Sequence, residues 1–192
     1  MAFGIPILLM VAPLLALALT AVGLYLGSPK TIWALAVPAV PASILAPLVF
    51  GRLEKTREGE LLVALVLAGF TFPVGMAGGM PLGRAGVVAG VYGAVLTVAT
   101  LAVRRVTARA LDAETFAKFV APIVLAVLSV ALLVLLVRAG VTTWGAPLAT
   151  VPMYGFSLYL VLSPPHLRHI RKVGWTLAVC LMLTSIILIG WV

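Results

Sequence analysis

The sequence predicts an all-α fold, a polytopic bundle of about seven transmembrane helices, and three observations predict it. Of the 192 residues, 64% are hydrophobic and only 9% charged, whereas soluble domains carry roughly 25% charged and 45–50% apolar residues. Mean hydropathy is +1.26, more apolar surface than a water-soluble fold of this size can hide. Runs of about 20 apolar residues, the length that crosses some 30 Å of hydrocarbon at 1.5 Å per residue, recur from one end of the chain to the other. Finally, Lys and Arg collect in alternate connections.

The apolar runs set seven spans at roughly 4–27, 31–51, 60–80, 85–103, 116–137, 142–163 and 173–192. The first is too long, and lacks the basic start, to read as a cleavable signal peptide. Between the spans stand "SPK", "RLEKTREGE", "PLGR", "RRVTARALDAET", "RAG" and "SPPHLRHIRK". These connections are short, so the chain reads as one integral membrane domain over 1–192.

The second, fourth and sixth connections, with the helix starts that follow them, carry ten of the 13 cations: Arg52, Lys55, Arg57, Arg104, Arg105, Arg109, Lys118, Arg168, Arg171 and Lys172. Lys30, Arg84 and Arg138 are left for the other side. Positive loops stay in the cytoplasm, which predicts a multi-pass cell-membrane protein with a cytoplasmic N-terminus and an external C-terminus. Orientation and contact with anionic lipid explain the +8 net charge, and no nucleic-acid module is visible. Arg168, His169, Arg171 and Lys172 are the expected lipid head-group contacts. Neither Asn nor Gln occurs in the chain, a depletion found in thermophile proteins.

All five acids, Glu54, Glu58, Glu60, Asp112 and Glu114, fall in the basic connections or at helix starts. No carboxylate stands at mid-membrane, where proton and ion pathways place them. His166 and His169 share one connection, which argues against haem held within the bundle, and the lone Cys180 excludes an internal disulfide. No cofactor and no metal site is read from the residues. The same connections admit a different chemistry, a lipid-phosphate enzyme in which His166 or His169 works with Glu54, Glu58, Asp112 or Glu114. No metal or phosphate-transfer motif supports it, and no catalytic residue is assigned.

Two stretches echo each other. "VAPLLALALT" from Val11 and "VAPIVLAVLS" from Val120 share Val-Ala-Pro and a hydroxyl, Thr20 or Ser129, seven positions after the proline. "TIWALAVPAVP" from Thr31 and "TTWGAPLATVP" from Thr142 share a Thr, a Trp two residues on, and Val-Pro ending eight residues after the Trp. Read as a duplication, they give repeats at 4–80 and 116–192 with 85–103 as a linker helix, a 3+1+3 arrangement of two parallel triplets. That layout is similar to those of the sugar-transporting SWEET proteins and nicotinamide-riboside transporters. The similarity is architectural, with no motif to carry over, and the charge-derived orientation is opposite to that of the SWEET proteins. It implies a solute site near mid-membrane between repeats.

"FTFPVGMAGGMPLGRAG", residues 70–86, is the densest concentration of glycine and proline. It reads either as tight packing and turning between the third and fourth spans, or as broken backbone lining a vestibule. The Gly86-x-x-x-Gly90-x-x-x-Ala94 ladder is expected to bring those two helices close. Paired prolines, Pro41 and Pro152, read as bends or hinges. Hydroxyls near mid-membrane are few, and each most commonly bonds its own helix. Tyr154, Ser157 and Tyr159 cluster beside Pro152, and Tyr154-Gly155 echoes Tyr92-Gly93. Tyr154, Ser157, Tyr159, Tyr92, Thr71 and Gly75 are therefore the expected substrate-lining residues, suited to a neutral or weakly polar solute. Three functions follow: a small transporter or facilitator; a non-catalytic subunit or solute-capturing component, as a homo-oligomer or in a larger membrane complex; and the lipid-phosphate enzyme.

Overall fold

The computed structural model of the protein describes residues 29–51, 56–110 and 116–191. Predicted span 4–27, with Thr20, lies outside the described residues, as do Glu54, Asp112 and Glu114. Among the described residues the fold is wholly helical: α1 (Pro29–Ala34), α2 (Ala36–Phe50), α3 (Arg57–Gly69), α4 (Thr71–Ala77), α5 (Leu82–Ala110), α6 (Phe116–Arg138), α7 (Gly145–Leu162), a 3₁₀ turn (Leu167–His169) and α8 (Ile170–Trp191). Six segments are long and apolar enough to cross a membrane: Ile32–Phe50, Arg57–Ala77, Leu82–Arg109, Phe119–Arg138, Gly145–Leu162 and Ile170–Trp191. They correspond to the second through seventh predicted spans. The chain is a multi-pass helical membrane protein.

Prolines set the breaks. Pro38 has no N–H for the carbonyl of Ala34, four residues back, and α1 gives way to α2 at Leu35. Pro73 denies Gly69 its partner in the same way, and α3 gives way to α4 at Phe70. Leu35 (φ −66°, ψ −16°) and Phe70 (φ −65°, ψ −22°) keep right-handed helical dihedrals, so each broken pair remains one crossing. Pro41 and Pro152 sit inside helices that continue past them.

The glycine-rich stretch divides its work. Gly69 lets α3 approach α2, since a Cβ there would stand 3.0 Å from the Pro38 Cα. Gly75 faces Met80 and Ala85 across the turn into α5. Gly79 takes the left-handed conformation (φ +83°) that glycine tolerates best. The Met80 N–H reaches the Gly75 carbonyl at 3.0 Å and the Gly79 N–H reaches that of Met76 at 3.1 Å, the Schellman pattern that satisfies a helix's last carbonyls. The Gly86–Gly90–Ala94 ladder does not make the predicted close approach. Gly86 and Gly90 are exposed, with no described neighbour within 4 Å of a Cβ built at either. The intimate crossing uses Gly69 and Pro38 instead.

The core sits on α5 and α7. Val88, Val91, Val95 and Ala99 of α5 meet Ala146, Ala149 and Met153 of α7, with Cys180 and Leu188 of α8 closing the cluster. Small Val and Ala side chains allow this approach where lipid supplies no hydrophobic drive between helices. The α5 helix is 29 residues long, about 43 Å at 1.5 Å per residue, and outruns the hydrocarbon. It overruns the predicted connection that begins at Arg104, because Ala and Arg are good helix formers. Arg105 is buried there, its guanidinium carbon 4.3 Å from the Phe119 ring centroid. Such a desolvated cation–π contact contributes about 2 kcal/mol.

Two ends can be told apart. Arg104 of α5 pairs with Glu60 of α3 at 2.7 Å. Val106 of α5, Val161 of α7 and Val173 of α8 share one cluster, with Phe119 of α6 against it. The helix ends bearing Arg57, Arg104, Arg105, Arg109 and Arg168–Lys172 thus lie together. At the opposite end Trp33 packs edge-on against Phe72 at 5.8 Å, and the Thr143 hydroxyl donates to the Trp191 carbonyl at 2.9 Å. All four Trp are exposed, Trp33, Trp144 and Trp191 at this end and Trp175 at the basic one, as in the aromatic belts of membrane interfaces.

Candidate functional site

The site grows from α7, whose two sides are packed differently. Towards α8 it is closed: Gly145 lies so tightly under Trp191 that a Cβ there would overlap the tryptophan's own Cβ. The Thr184 hydroxyl donates to the Ala149 carbonyl at 2.8 Å. Towards α6 it is open. A groove of about 490 Å³ runs between α6 and α7 with Val98 of α5 as its floor. Pro122 and Ala126 on α6, and Pro147, Tyr154, Gly155 and Ser157 on α7, border it. Residues 154 and 157 lie three apart, about 60° around a helix with 3.6 residues per turn, and so share this face.

Chemically the groove is an uncharged, almost entirely apolar slot. Tyr154 reaches across to α6, with its hydroxyl 2.6 Å from the Ser129 Oγ. Ser129 donates its proton to the Ala126 carbonyl at 2.9 Å, so the phenol donates to the serine and keeps lone pairs as acceptors. The Thr150 hydroxyl beside it donates to the Pro147 carbonyl at 2.8 Å. Ser157 differs. Its Oγ is buried and has no hydrogen-bond partner among the described residues. A buried unsatisfied hydroxyl costs about 1–3 kcal/mol.

The other expected lining residues go elsewhere. Tyr92 sits on α5, where its hydroxyl meets the Ser185 Oγ of α8 at 2.6 Å, and Ser185 donates to the Leu181 carbonyl at 2.9 Å. The two Tyr-Gly dipeptides therefore build the same device, a tyrosine clasping a serine on a neighbouring helix. Tyr159 is half-exposed and stacks on Phe156 at 6.0 Å. It lies about 140° round the helix from Tyr154 and away from the groove. Thr71 donates to the Ala68 carbonyl at 2.6 Å, next to the Phe70 break, and Gly75 packs against α5. Tyr154 and Ser157 are thus the expected pair that the fold brings together. Ser185 and Thr184 were not singled out in the sequence. The doubled Tyr-Gly was the signal available, because a mid-membrane phenol needs a partner and Ser129 and Ser185 are two of the few hydroxyls on offer.

At the basic end, Arg168, His169, Arg171 and Lys172 are exposed. The His166 Nδ1 accepts the Arg168 N–H at 3.3 Å. Glu58 and Glu60 stand in the first turn of α3, where the helix dipole favours acids, and Glu60 is held by Arg104. No group of three or more His, Cys, Asp or Glu converges among the described residues.

The bundle and its groove define a class, the multi-pass helical membrane protein with an uncharged lipid-level recess. Comparison with protein-family models, curated proteins and solved structures finds no match to this chain.

Proposed function

We propose that the protein is a small transporter or facilitator for a neutral or weakly polar solute, and that the groove between α6 and α7 is its recognition surface. The observation that carries this reading is that Tyr154 and Ser157, the latter without a hydrogen-bond partner among the described residues, share one wall of a 490 Å³ slot that no charged side chain borders among those residues. Such a wall favours an uncharged molecule, since an ion would lose its hydration with nothing to replace it. In this reading the basic end faces the cytoplasm, the N-terminus with it, and the span at 4–27 completes two parallel triplets around α5. The exposed Trp33 and Trp144, each just ahead of a proline-containing helix, support that duplication.

A second reading, a subunit or solute-capturing component of a homo-oligomer or larger membrane complex, draws on a different observation. Only 11% of the apolar span is buried in each of Ile32–Phe50 and Phe119–Arg138, leaving two long aliphatic flanks for lipid or a partner. Reconstitution into liposomes with a panel of uncharged solutes separates the two readings. Uptake above that of empty vesicles, slowed several-fold by Tyr154→Phe or Pro152→Ala and abolished by the groove-filling Gly155→Leu, is the expected result. Uptake equal to empty vesicles for every solute would end the transport reading.

A further inference from the structure

We propose that a second groove, between α3 and α8 on the outer side of α5, is a site for one anionic phospholipid of the leaflet at the basic end. It holds about 440 Å³. Its wall is apolar, formed by Val63 of α3, Leu96 and Val103 of α5, and Leu177, Ala178 and Leu181 of α8. The Thr100 hydroxyl within it is already spent on the Leu96 carbonyl at 2.8 Å. The groove does not fade into lipid at both ends. At the basic end it stops at Glu60, whose carboxylate is held by Arg104 at 2.7 Å.

Length and charge name the occupant. From Arg171 to Leu181 the α8 wall rises about 15 Å at 1.5 Å per residue, half of a 30 Å hydrocarbon core and so one leaflet deep. Arg171 lies two turns before Ala178 on the same helical face. Trp175, 68% exposed, stands between them at the level where tryptophan marks the interface. Gly174 alongside leaves open space, with nothing within 4 Å of a Cβ built there. Exposed Arg57 is one turn before Glu60 on α3. Arg104 thus holds Glu60 at the mouth of a chain-length apolar slot, with Arg57 one turn earlier on α3 and Arg171 at the start of the α8 wall. Arg57, Arg104, Arg171 and Lys172 on these helix ends outnumber Glu58 and Glu60, and guanidinium is suited to bidentate hold of a phosphate. An anionic head group satisfies this excess, and an acyl chain fills the groove.

The site predicts a behaviour that a diffuse basic rim does not, namely dependence on groove volume as well as on charge. Purified protein is titrated with dioleoyl-phosphatidylglycerol or dioleoyl-phosphatidylcholine, and bound lipid is counted by native mass spectrometry. Wild type is expected to retain phosphatidylglycerol preferentially. Arg171→Gln should weaken that binding roughly fivefold, as one interfacial cation lost, with phosphatidylcholine unchanged. Ala178→Phe and Gly174→Leu, which alter no charge, should weaken both lipids by obstructing the slot. Arg138→Gln, a cation at the opposite end, should change neither. Melting without added lipid reports folding of each variant. Equal retention of the two lipids by wild type would overturn the site. So would groove-filling variants that fold and bind as wild type, or Arg138→Gln losing as much as Arg171→Gln.

Discussion

The two seams of α7 contain the same kinds of atoms and behave as opposites. Against α8 the helix is sealed by a glycine under a tryptophan, a threonine on a carbonyl and aliphatic side chains between them. Against α6 it meets Val, Ala and Pro across a slot that, among the described residues, is bridged by one hydrogen bond, Tyr154 to Ser129. Composition does not separate the two seams. What does is where the smallest residues point: Gly145 faces the partner helix and admits it, whereas Gly155 borders the groove, with nothing within 4 Å of a Cβ built there.

The largest effect is expected at the closed seam. Gly145→Ala forces a methyl group into the Trp191 side chain and pushes α8 outwards, breaking the Thr143–Trp191 bond with it. Overpacking of this kind costs about 1–3 kcal/mol, or roughly 3–10 °C in Tm for a chain of this size. Thermal unfolding in detergent measures it. The contrast is Gly155→Leu, a far larger addition into open space, which should leave Tm within about 2 °C. A greater loss for Gly155→Leu than for Gly145→Ala would erase the distinction between the seams.

Next in size is the pair of cross-helix hydroxyls. Thr184→Val removes a fully buried bond to the Ala149 carbonyl and should cost about 1 kcal/mol. Tyr154→Phe removes the one bridge of the open seam among the described residues and should cost about 0.6 kcal/mol, since Ser129 keeps its bond to Ala126. Differential scanning of the two variants and their double mutant should give additive losses, because the sites lie on opposite faces of α7.

The sequence made one half of this architecture legible. Six crossings and the gathering of cations at one end follow from run length and from alternation, both one-dimensional properties of the chain, although α5 runs past its predicted end into the connection at Arg104. The Arg104–Glu60 pair and the Arg105–Phe119 contact join the helix ends that the charge pattern grouped. Which face of each helix meets which neighbour was not legible. Helices apolar all round carry no stripe to mark the buried side. The ladder at Gly86 and Gly90 shows the cost, since its spacing is right for packing and yet no described residue closes on either glycine. The same holds within the candidate site. Angular position alone separates Tyr159 from Tyr154, and only a three-dimensional neighbour reveals that Tyr92 and Tyr154 each clasp a serine.

The smallest expected effect on stability is the most informative about the open seam. Ser157 is as buried as Thr184, yet Thr184 has a carbonyl to bond and Ser157 has no partner among the described residues. Replacing a hydroxyl that makes no bond removes a desolvation cost without removing an interaction. Ser157→Ala should therefore leave Tm unchanged or raise it by up to about 3 °C, while Thr184→Val lowers it. A residue kept polar against its own contribution to stability is what a binding surface requires, because the hydroxyl gains its partner only when a solute arrives. On the transport reading, Ser157→Ala then raises the solute concentration for half-maximal uptake while the protein melts no earlier. A fall in Tm matching that of Thr184→Val would instead mean that Ser157 bonds within its own helix in the membrane, and the groove would lose the polar group on which its solute recognition rests.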